Sequence, residues 1–505
     1  MVVSLKQSGS WNGRVALLMM VLFAWRLPLL YRQSPGQDED FYGVPGMTIL
    51  RGGLPQIPYI PSRDPTTIYY MADVAMYTLP PLAFFWQAAV HLLLGDGIGP
   101  ARVASALAGL GALLLVNRLV LVWTGDRYTA FWAAIFYVMC RAFYFPATTA
   151  RPDMLATTMG LAALWTASRQ PTIATRRELV ASGFFAGLST LAHPMGIVPC
   201  AQVGLWLLTR QAPWRSRAVA ALVFSAAVLG TAALWLPLIV LHPDLFQIQF
   251  GGVVRRGDGL VRSLTAPCSV LDFHARMIWE HANPIQATLC ALGVAWAAYY
   301  ARRNADSRGL LFHVLVGPLL LIAFMGRHPT KGYYAYPAAL ASVGVGLLAS
   351  AIDRWAARAI RLPHPCGRLL VTGVLVLAML PGAGLQTLIA HLRNWDNPHY
   401  DADRFARQLM ADVPAQRVAA VDGYYALYFW LAGRPVVDAI VIPLYFDVRT
   451  TRFDYLILGR IGLEQVKPHV ESIEFIRSYG DRSDPFSHYA ELYRVREQRA
   501  PTGGD

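Results

Sequence analysis

A short acidic run, Asp38-Glu39-Asp40, follows the first strongly apolar segment of the chain, and Asp153 lies at the edge of a later one. A carboxylate at the edge of a membrane span is costly to bury and is usually functional. A positioned carboxylate can remove the proton from an acceptor hydroxyl. Asp38, Glu39 and Asp153 are therefore candidate catalytic residues. The alternatives are a solvated loop for the acidic run and a helix N-cap for Asp153.

Basic side chains form a second group of candidates at apolar boundaries. His193 lies between two short apolar segments, Arg255 and Arg256 lie in a long loop, and Arg327 and Lys331 bracket a tight loop. Such cations suit the phosphate of a lipid. Ordinary contact with lipid headgroups is the alternative, and it fits Arg255 and Arg256 better than the pair in the tight loop.

The composition indicates which elements must position these residues. Of 505 residues, 55% are hydrophobic and only 15% are charged. A soluble protein of this length needs more charge to cover its surface, so the excess apolar surface faces lipid. The net charge of +13 does not indicate nucleic acid as a partner, because arginines in short loops between apolar segments account for it.

No metal-ligand spacing appears among the five cysteines or elsewhere. The sequence is compatible with a divalent metal but does not demand one. Residues 15–31 have no small-residue cleavage site, so they are predicted to be a retained span rather than a removed signal.

The distribution of basic residues predicts the membrane topology. The apolar stretch Pro80–Gly95 opens with two prolines and contains Gln87 and His91. If it lies flat at the interface, most loop arginines downstream of it face the inside; if it spans, they face the outside. We therefore interpret it as an interfacial helix. The predicted spans are 15–31, 102–122, 129–144, 153–168, 179–193, 195–209, 218–241, 284–300, 309–326, 337–352 and 369–390.

The sequence thus predicts an α-helical polytopic membrane protein of about eleven transmembrane helices, with the N-terminus inside and the C-terminus outside. Residues 1–390 are expected to form the transmembrane catalytic domain, with long external loops at 32–101 and 242–283. Residues 391–505 are expected to form a small, soluble external α/β domain. The segments that predict it alternate between helical and strand-like patterns: Ala402–Met410, Arg417–Val421, Tyr424–Leu431, Pro435–Ile440, Tyr455–Leu458 and Tyr489–Val495.

The order and spacing of the motifs over residues 10–350 resemble the GT-C glycosyltransferases, and most of all their protein-mannosyltransferase and aminoarabinose-transferase branch. The motifs that carry the likeness are Asp38-Glu39, Thr78-Leu79-Pro80-Pro81-Leu82, the span with Arg102, Leu107 and Gly109, and Arg151-Pro152-Asp153. Two positions depart from the aminoarabinose-transferase pattern, because Leu79 and His193 stand where lysine is common. The identity of the donor sugar therefore cannot be carried over.

The resemblance implies that a sugar is transferred, with inversion, from a polyprenyl-phosphate donor to an external lipid, glycan or protein. It puts the key acid at Asp38, with Glu39 beside it and a second acid at Asp153. It puts carrier-phosphate contacts near His193 and in the Arg327–Lys331 loop. The implied location is a membrane, expected to be the inner membrane of a bacterium.

Two other functions are compatible with a polytopic chain. A multi-span lipid or solute transporter should show ionisable residues near mid-membrane and paired halves, whereas the acids here lie at one edge and no internal repeat is evident. A scaffold whose tail binds a partner would leave the acidic loops without a role.

Overall fold

The computed structural model describes residues 20–21, 23–33, 36, 38–169, 174–256, 259–303, 308–327, 331–382, 384–439, 452–470 and 472–496. Helices account for most of this structure. The first are α1 (Leu27–Arg32), α2 (Glu39–Tyr42), α3 (Pro45–Gly52), α4 (Leu82–Leu94), α5 (Ile98–Thr124), α6 (Arg127–Met139), α7 (Arg141–Thr148) and α8 (Asp153–Ser168). The middle of the chain forms α9 (Arg176–Ala192), α10 (Ile197–Thr209), α11 (Trp214–Ala232), α12 (Leu236–Leu241), α13 (Pro243–Arg256), α14 (Gly259–Thr265), α15 (Pro267–His281), α16 (Pro284–Arg303) and α17 (Arg308–Met325).

The C-terminal part contains α18 (Ala335–Ala359), α19 (His364–Met379), α20 (Leu385–Arg393), α21 (Ala402–Ala411), α22 (Gly423–Leu431) and α23 (Arg460–Gln465). Short 3-10 turns occur at Pro194–Gly196, Ala233–Trp235, Lys331–Tyr334, Leu380–Gly382, Pro398–Tyr400 and Lys467–His469. Local signals explain several boundaries. For example, α9 begins with a capping box between Thr175 and Glu178, and α5 ends at Gly125, whose φ is +65°.

Within the described residues, three helices are long and apolar enough to cross a membrane: Ile98–Thr124, Trp214–Leu241 and Lys331–Ala359. A fourth is added if the bent pair α6 and α7 is one span. A largely helical membrane protein is confirmed, while the count of eleven spans stays a prediction, and residues 15–19 of the first lie outside the described part. Helix α4, within the predicted interfacial stretch, has 13 residues, fewer than the ~20 that a perpendicular span needs.

The predicted span 129–144 is not one straight helix. It bends by 59° between α6 and α7, where Cys140 has extended backbone angles. The break frees main-chain groups, and side chains satisfy them: Arg26 Nη1 donates to the Val138 carbonyl at 2.7 Å, and the Arg141 amide donates to Gln286 Oε1 at 2.9 Å. The bend therefore gives Arg141 a fixed position at the turn.

The C-terminal segment contains a five-stranded sheet, β1 (Ala419–Val421), β2 (Val436–Asp438), β3 (Tyr455–Gly459), β4 (Ile473–Gly480) and β5 (Tyr489–Val495), in the order β2-β1-β3-β5-β4. Strand β1 is parallel to β2 and β3, and β5 is antiparallel to β3 and β4. The expected small C-terminal α/β unit is thus present. The sequence missed β4, whose pairing with β5 shifts register between Phe475 and Arg477 and breaks the alternation of apolar residues.

Two main hydrophobic cores position the site. One lies among the helices from α1 to α19. The other joins the loop predicted to be the first external one to the C-terminal segment, since Phe41 and Tyr59 share it with Phe405, Tyr425 and Ile457. The proposed boundary at residue 390 therefore divides the chain into segments but does not divide this second core.

Candidate active site

Arg151, in the loop between α7 and α8, joins two of the predicted acids. Its Nε donates to Asp153 Oδ2 at 2.7 Å, and its Nη1 forms an ion pair with Asp38. Arg151 and Asp153 are buried, whereas 38% of the Asp38 side chain is exposed. Burial opposes the charge on Arg151, but Asp153 and Asp38 raise its pKa well above the ordinary value. Asp38 is thus the accessible carboxylate of a charged, preorganised group.

Asp153 does not act as a helix cap. Pro152 occupies the N-cap position of α8, Asp153 is the first helical residue, and no side-chain capping bond forms. Its negative charge in the first turn is favourable to the helix dipole. Oδ2 pairs with Arg151, while Oδ1 is buried and has no hydrogen-bond partner in the part of the chain that the structure describes.

Glu39 has a different environment from Asp38, although the two are adjacent. Its carboxylate accepts two hydrogen bonds from Arg102, Nε to Oε1 and Nη2 to Oε2, both at 2.8 Å. The backbone amides of Gly36 and Ala150 donate to it at 2.7 and 2.6 Å. Only 2% of Glu39 is exposed. The residue therefore ties together the first external loop, α5 and the loop that carries Arg151.

The 3-10 turn after the predicted tight loop packs onto the acids. A Cβ on Gly332 would lie 2.6 Å from Asp153 Oδ2 and 3.2 Å from Arg151 Nε, so only glycine permits this approach. The ring of the next residue, Tyr333, lies 5.0 Å from the ring of His193. His193 is buried, and its Nδ1 accepts from the Met195 amide at 3.1 Å. The structure thus brings His193 and the residues after Lys331 to the same place as Asp153.

A cavity of about 610 Å³ opens beside this turn, between α6, α7, α15, α16 and α18. Its walls are mostly apolar, but Arg141, His281 and Lys331 also line it. Burial, then the charges of Lys331 and Arg141, lower the pKa of His281. The three side chains are therefore close together, and they make one part of an apolar cavity attractive to an anion.

The chain as a whole is similar to known proteins. The family model for dolichyl-phosphate-mannose-protein mannosyltransferase matches residues 78–240. The structure of ArnT from Cupriavidus metallidurans bound to undecaprenyl phosphate aligns with a TM-score of 0.62 at 16% identity, covering 96% of this chain and 98% of that one. This chain has the fold of the GT-C glycosyltransferases.

A second GT-C structure agrees. Archaeal oligosaccharyltransferase AglB from Archaeoglobus fulgidus, in complex with an inhibitory peptide and a dolichol-phosphate, aligns with a TM-score of 0.55 at 13% identity. The alignment covers 98% of this chain and 75% of AglB. None of the curated protein sequences matches significantly. The expected likeness to the GT-C enzymes is confirmed, and the comparisons indicate a glycosyltransferase.

Not every predicted residue lies at the acids. Arg327 is exposed, with its guanidinium 5.8 Å from the ring of Phe273. Arg255 lies in the last turn of α13 and is exposed, and the side chain of Arg256, which ends the helix, lies outside the described residues. In the described parts of the chain, no group of three or more His, Cys, Asp or Glu side chains is arranged to hold a metal ion.

Arg141 and His281 were not predicted as site residues. Arg141 lies near the end of a predicted span, where the sequence suggests a side chain that reaches for the interface. Only the bend at Cys140 places it in the cavity. Asp40 was also missed, since it is completely buried and turned away from the exposed face of Asp38 toward the C-terminal sheet.

Proposed function

We propose that this protein transfers a sugar from a polyprenyl-phosphate donor to an acceptor on the external face of a membrane, with inversion at the sugar. The observation that carries the proposal is the apolar cavity with Arg141, His281 and Lys331 in its lining, joined through Gly332 to the Asp38–Arg151–Asp153 group. An apolar wall suits a polyprenyl chain, and clustered cations suit the phosphate next to it. Undecaprenyl phosphate in ArnT and dolichol-phosphate in AglB support a carrier of this class.

The geometry suggests how the reaction proceeds. Charge builds on the leaving phosphate as the bond to the sugar breaks, and cations that line an apolar cavity stabilise that charge. Lys331 and Arg141 are the residues we assign to this role, with His193 and Arg327 as further predicted contacts. A contact of Arg255 or Arg256 with the donor phosphate stays a prediction, since neither is among the described residues that line the cavity.

Asp38 is the residue that we assign as general base. Its side chain is the most exposed of the three predicted acids, so an acceptor hydroxyl can reach it and deliver its proton. Asp153 acts through Arg151, which it holds against Asp38, and we assign Glu39 to support of the same loop. A single displacement of this kind inverts the sugar. An acceptor that is already a phosphate needs no base, and Asp38 would then position it.

We also propose the arrangement in the membrane. Residues 1–390 supply about eleven spans and residues 391–505 an external domain, with the acids, the mouth of the cavity and the C-terminal sheet on the external face. The likeness to ArnT supports the inner (plasma) membrane of a bacterium as the location. A transporter is not favoured, because the family model and the solved structures that match are glycosyltransferases.

The donor can be identified by comparing lipid extracts and envelope glycans from cells with and without the gene by mass spectrometry, since an unused lipid-linked sugar should accumulate. The purified protein in liposomes is then given that donor, and release of polyprenyl phosphate is measured. Asp38→Asn keeps the size of the side chain but cannot accept a proton, so transfer should fall by ~10²–10⁴-fold. Near-wild-type transfer by folded Asp38→Asn protein would end the general-base assignment.

Lys331→Ala tests the donor site in the same assay. Loss of one desolvated charge-assisted contact costs about 1.5–3 kcal/mol, so use of the donor should weaken roughly ten- to a hundredfold. Arg276→Ala is the matched control, because Arg276 lies on α15, a helix that lines the cavity, but its side chain is exposed and forms an ion pair with Asp272. Equal donor dependence in both variants would remove Lys331 from the phosphate site.

A further inference from the structure

The carboxyl edge of the parallel strands in the C-terminal sheet is covered by the first external loop. In open α/β sheets this edge is the usual place for a ligand. Here the Asp438 amide, at the end of β2, donates to the Tyr59 carbonyl at 2.9 Å. The Tyr59 hydroxyl in turn donates to the Asp40 carbonyl at 2.6 Å. Residues of the external loop thus occupy the position of a ligand.

Asp40 places a carboxyl group in this contact. The residue is fully buried, and neither carboxyl oxygen receives a hydrogen bond from a donor among the described residues. A Cβ on Gly423, at the start of α22, would lie 2.0 Å from Asp40 Oδ2 and 3.2 Å from Asp438 Oδ2. The side chain of Asp40 is therefore directed at the sheet, with the carboxyl of Asp438 as its immediate neighbour.

Among the described residues, the titratable groups that face Asp40 are acidic or neutral. They are Asp38 on its own loop, Tyr59 on the following segment, and Asp422, Tyr424 and Asp438 on the sheet and α22. Burial, then the nearby Asp438, raise the pKa of Asp40 well above its ordinary value. The carboxylate of Asp422 accepts from the amides of Tyr424, Gly459 and Gly462. The carboxyl of Asp438 instead lies beside that of Asp40 at Gly423, so Asp438 is the acid that can pair with Asp40.

Two neighbouring carboxyl groups in a dry interface repel each other when both are ionised, and they form a short hydrogen bond when one proton lies between them. We propose that Asp40 and Asp438 share one proton and that this bond fixes the C-terminal sheet on the helix that follows Asp38. Both are positioning residues. The inference rests on the proposed function for its effect on transfer, whereas the docking itself is independent of it.

The sign of the pH dependence follows from this pair. Undocked, Asp40 is exposed to water and ionises near the usual aspartate pKa of about 3.9. Docked, its pKa is raised, so docking takes up a proton between the two values. The docked state is fully favoured below the ordinary pKa and loses up to about tenfold in its equilibrium constant for each pH unit until the raised pKa is passed. A rise in pH above the ordinary pKa should therefore loosen the contact and displace Asp38.

Asp438→Asn tests the shared proton. A carboxamide donates a hydrogen bond to ionised Asp40 without any proton uptake, so docking should become independent of pH. Asp40→Asn makes the same test from the other side and serves if the first variant does not fold. Asp412→Asn is the control, since Asp412 is a half-exposed acid of the same C-terminal segment that pairs with Arg477 and should keep the wild-type profile.

Docking is measured by hydrogen–deuterium exchange of the full chain in detergent, with rates corrected for the intrinsic effect of pH. The wild-type protein should lose protection in α22 and in residues 38–60 as the pH rises from about 5 to about 9, a range that starts just above the ordinary pKa of aspartate, and neither Asn variant should. Transfer should show the same pattern. Equal protection of the wild-type protein at both pH values would overturn the inference, as would a loss of protection in Asp438→Asn that matches the wild type. Exchange that behaves as expected in a protein without transfer activity would support the docking pair and count against the proposed function alone.

Discussion

Glu39→Gln is the substitution that best separates structure from chemistry at this site. The glutamate is 2% exposed and receives four hydrogen bonds, two from Arg102 and one each from the amides of Gly36 and Ala150. Glutamine keeps one acceptor oxygen, turns the other position into a donor and removes the charge that neutralises Arg102. Arg102 is 1% exposed, so it cannot recover its hydration in the folded state.

The expected cost follows from that burial. Removing one partner of a buried ion pair costs about 3–5 kcal/mol, because the other charge stays buried and uncompensated. Arg102 Nη1 keeps its hydrogen bonds to the carbonyls of Leu30 and Gln33, at 3.0 and 2.8 Å. The loss of unfolding free energy is therefore limited to the contribution of the Glu39 carboxylate. Because Asp38 precedes Glu39, transfer should fall together with stability rather than separately from it.

Thermal unfolding in detergent and transfer in liposomes are measured on the same preparations. Asp96→Asn is the control, since the Arg51–Asp96 pair on the same external loop is exposed, at 48% and 38%, and should contribute less than about 1 kcal/mol. In the double variant Glu39→Gln with Arg102→Met, neither charge of this buried pair is left. The loss of unfolding free energy should therefore be smaller than the sum of the losses in the two single variants. A Glu39→Gln protein that unfolds like the wild type but has lost transfer would refute this reasoning and make Glu39 a catalytic residue.

Two further outcomes are expected. Gly332→Ala places a methyl group 2.6 Å from Asp153 Oδ2 and should lower transfer by about 10²-fold, as a displacement of ~1 Å at an active site does. Gly204→Ala is the control, because its Cβ meets nothing within 4 Å, and it should retain wild-type transfer. Equal activity of the two variants would show that the turn at Gly332 can move to make room for the methyl group. A membrane-impermeant thiol reagent should label Cys268 but not Cys366 in intact cells. Both cysteines are exposed on the protein surface, and the proposed topology puts them on opposite sides of the membrane. Labelling of Cys366 alone would reverse that topology.

The sequence predicts the class of structure because local composition determines it. Apolar segments, arginine-rich loops and the alternating tail pattern are read residue by residue, and they indicate a helical membrane protein with a small C-terminal sheet. The acids could likewise be named, since a carboxylate beside a span is unusual wherever it occurs. Their separate environments could not be predicted from the sequence, because Glu39 contacts Arg102 and Asp38 contacts Arg151 only through the packing of distant segments.

Other misses have the same cause. The break at Cys140 is not marked by proline or glycine at that position, since the proline of this region, Pro146, lies within α7. Without the break, Arg141 has no reason to face a cavity. Asp40 is buried against the C-terminal segment that carries Asp438, almost four hundred residues later, and nothing near Asp40 in the sequence distinguishes it from the exposed Asp38 two residues earlier.

The hydrophobic core shared by the first external loop and the C-terminal segment has a consequence for biosynthesis. Phe41 and Tyr59 leave the ribosome early, but Phe405, Tyr425 and Ile457, which complete their core, are made last. Contacts of such long sequence separation form slowly, and unfinished apolar surface favours aggregation or capture by chaperones in the meantime. The loop with Asp38 therefore reaches its final shape only after the C-terminal residues of this core have been made, so an incompletely synthesised chain lacks the finished loop.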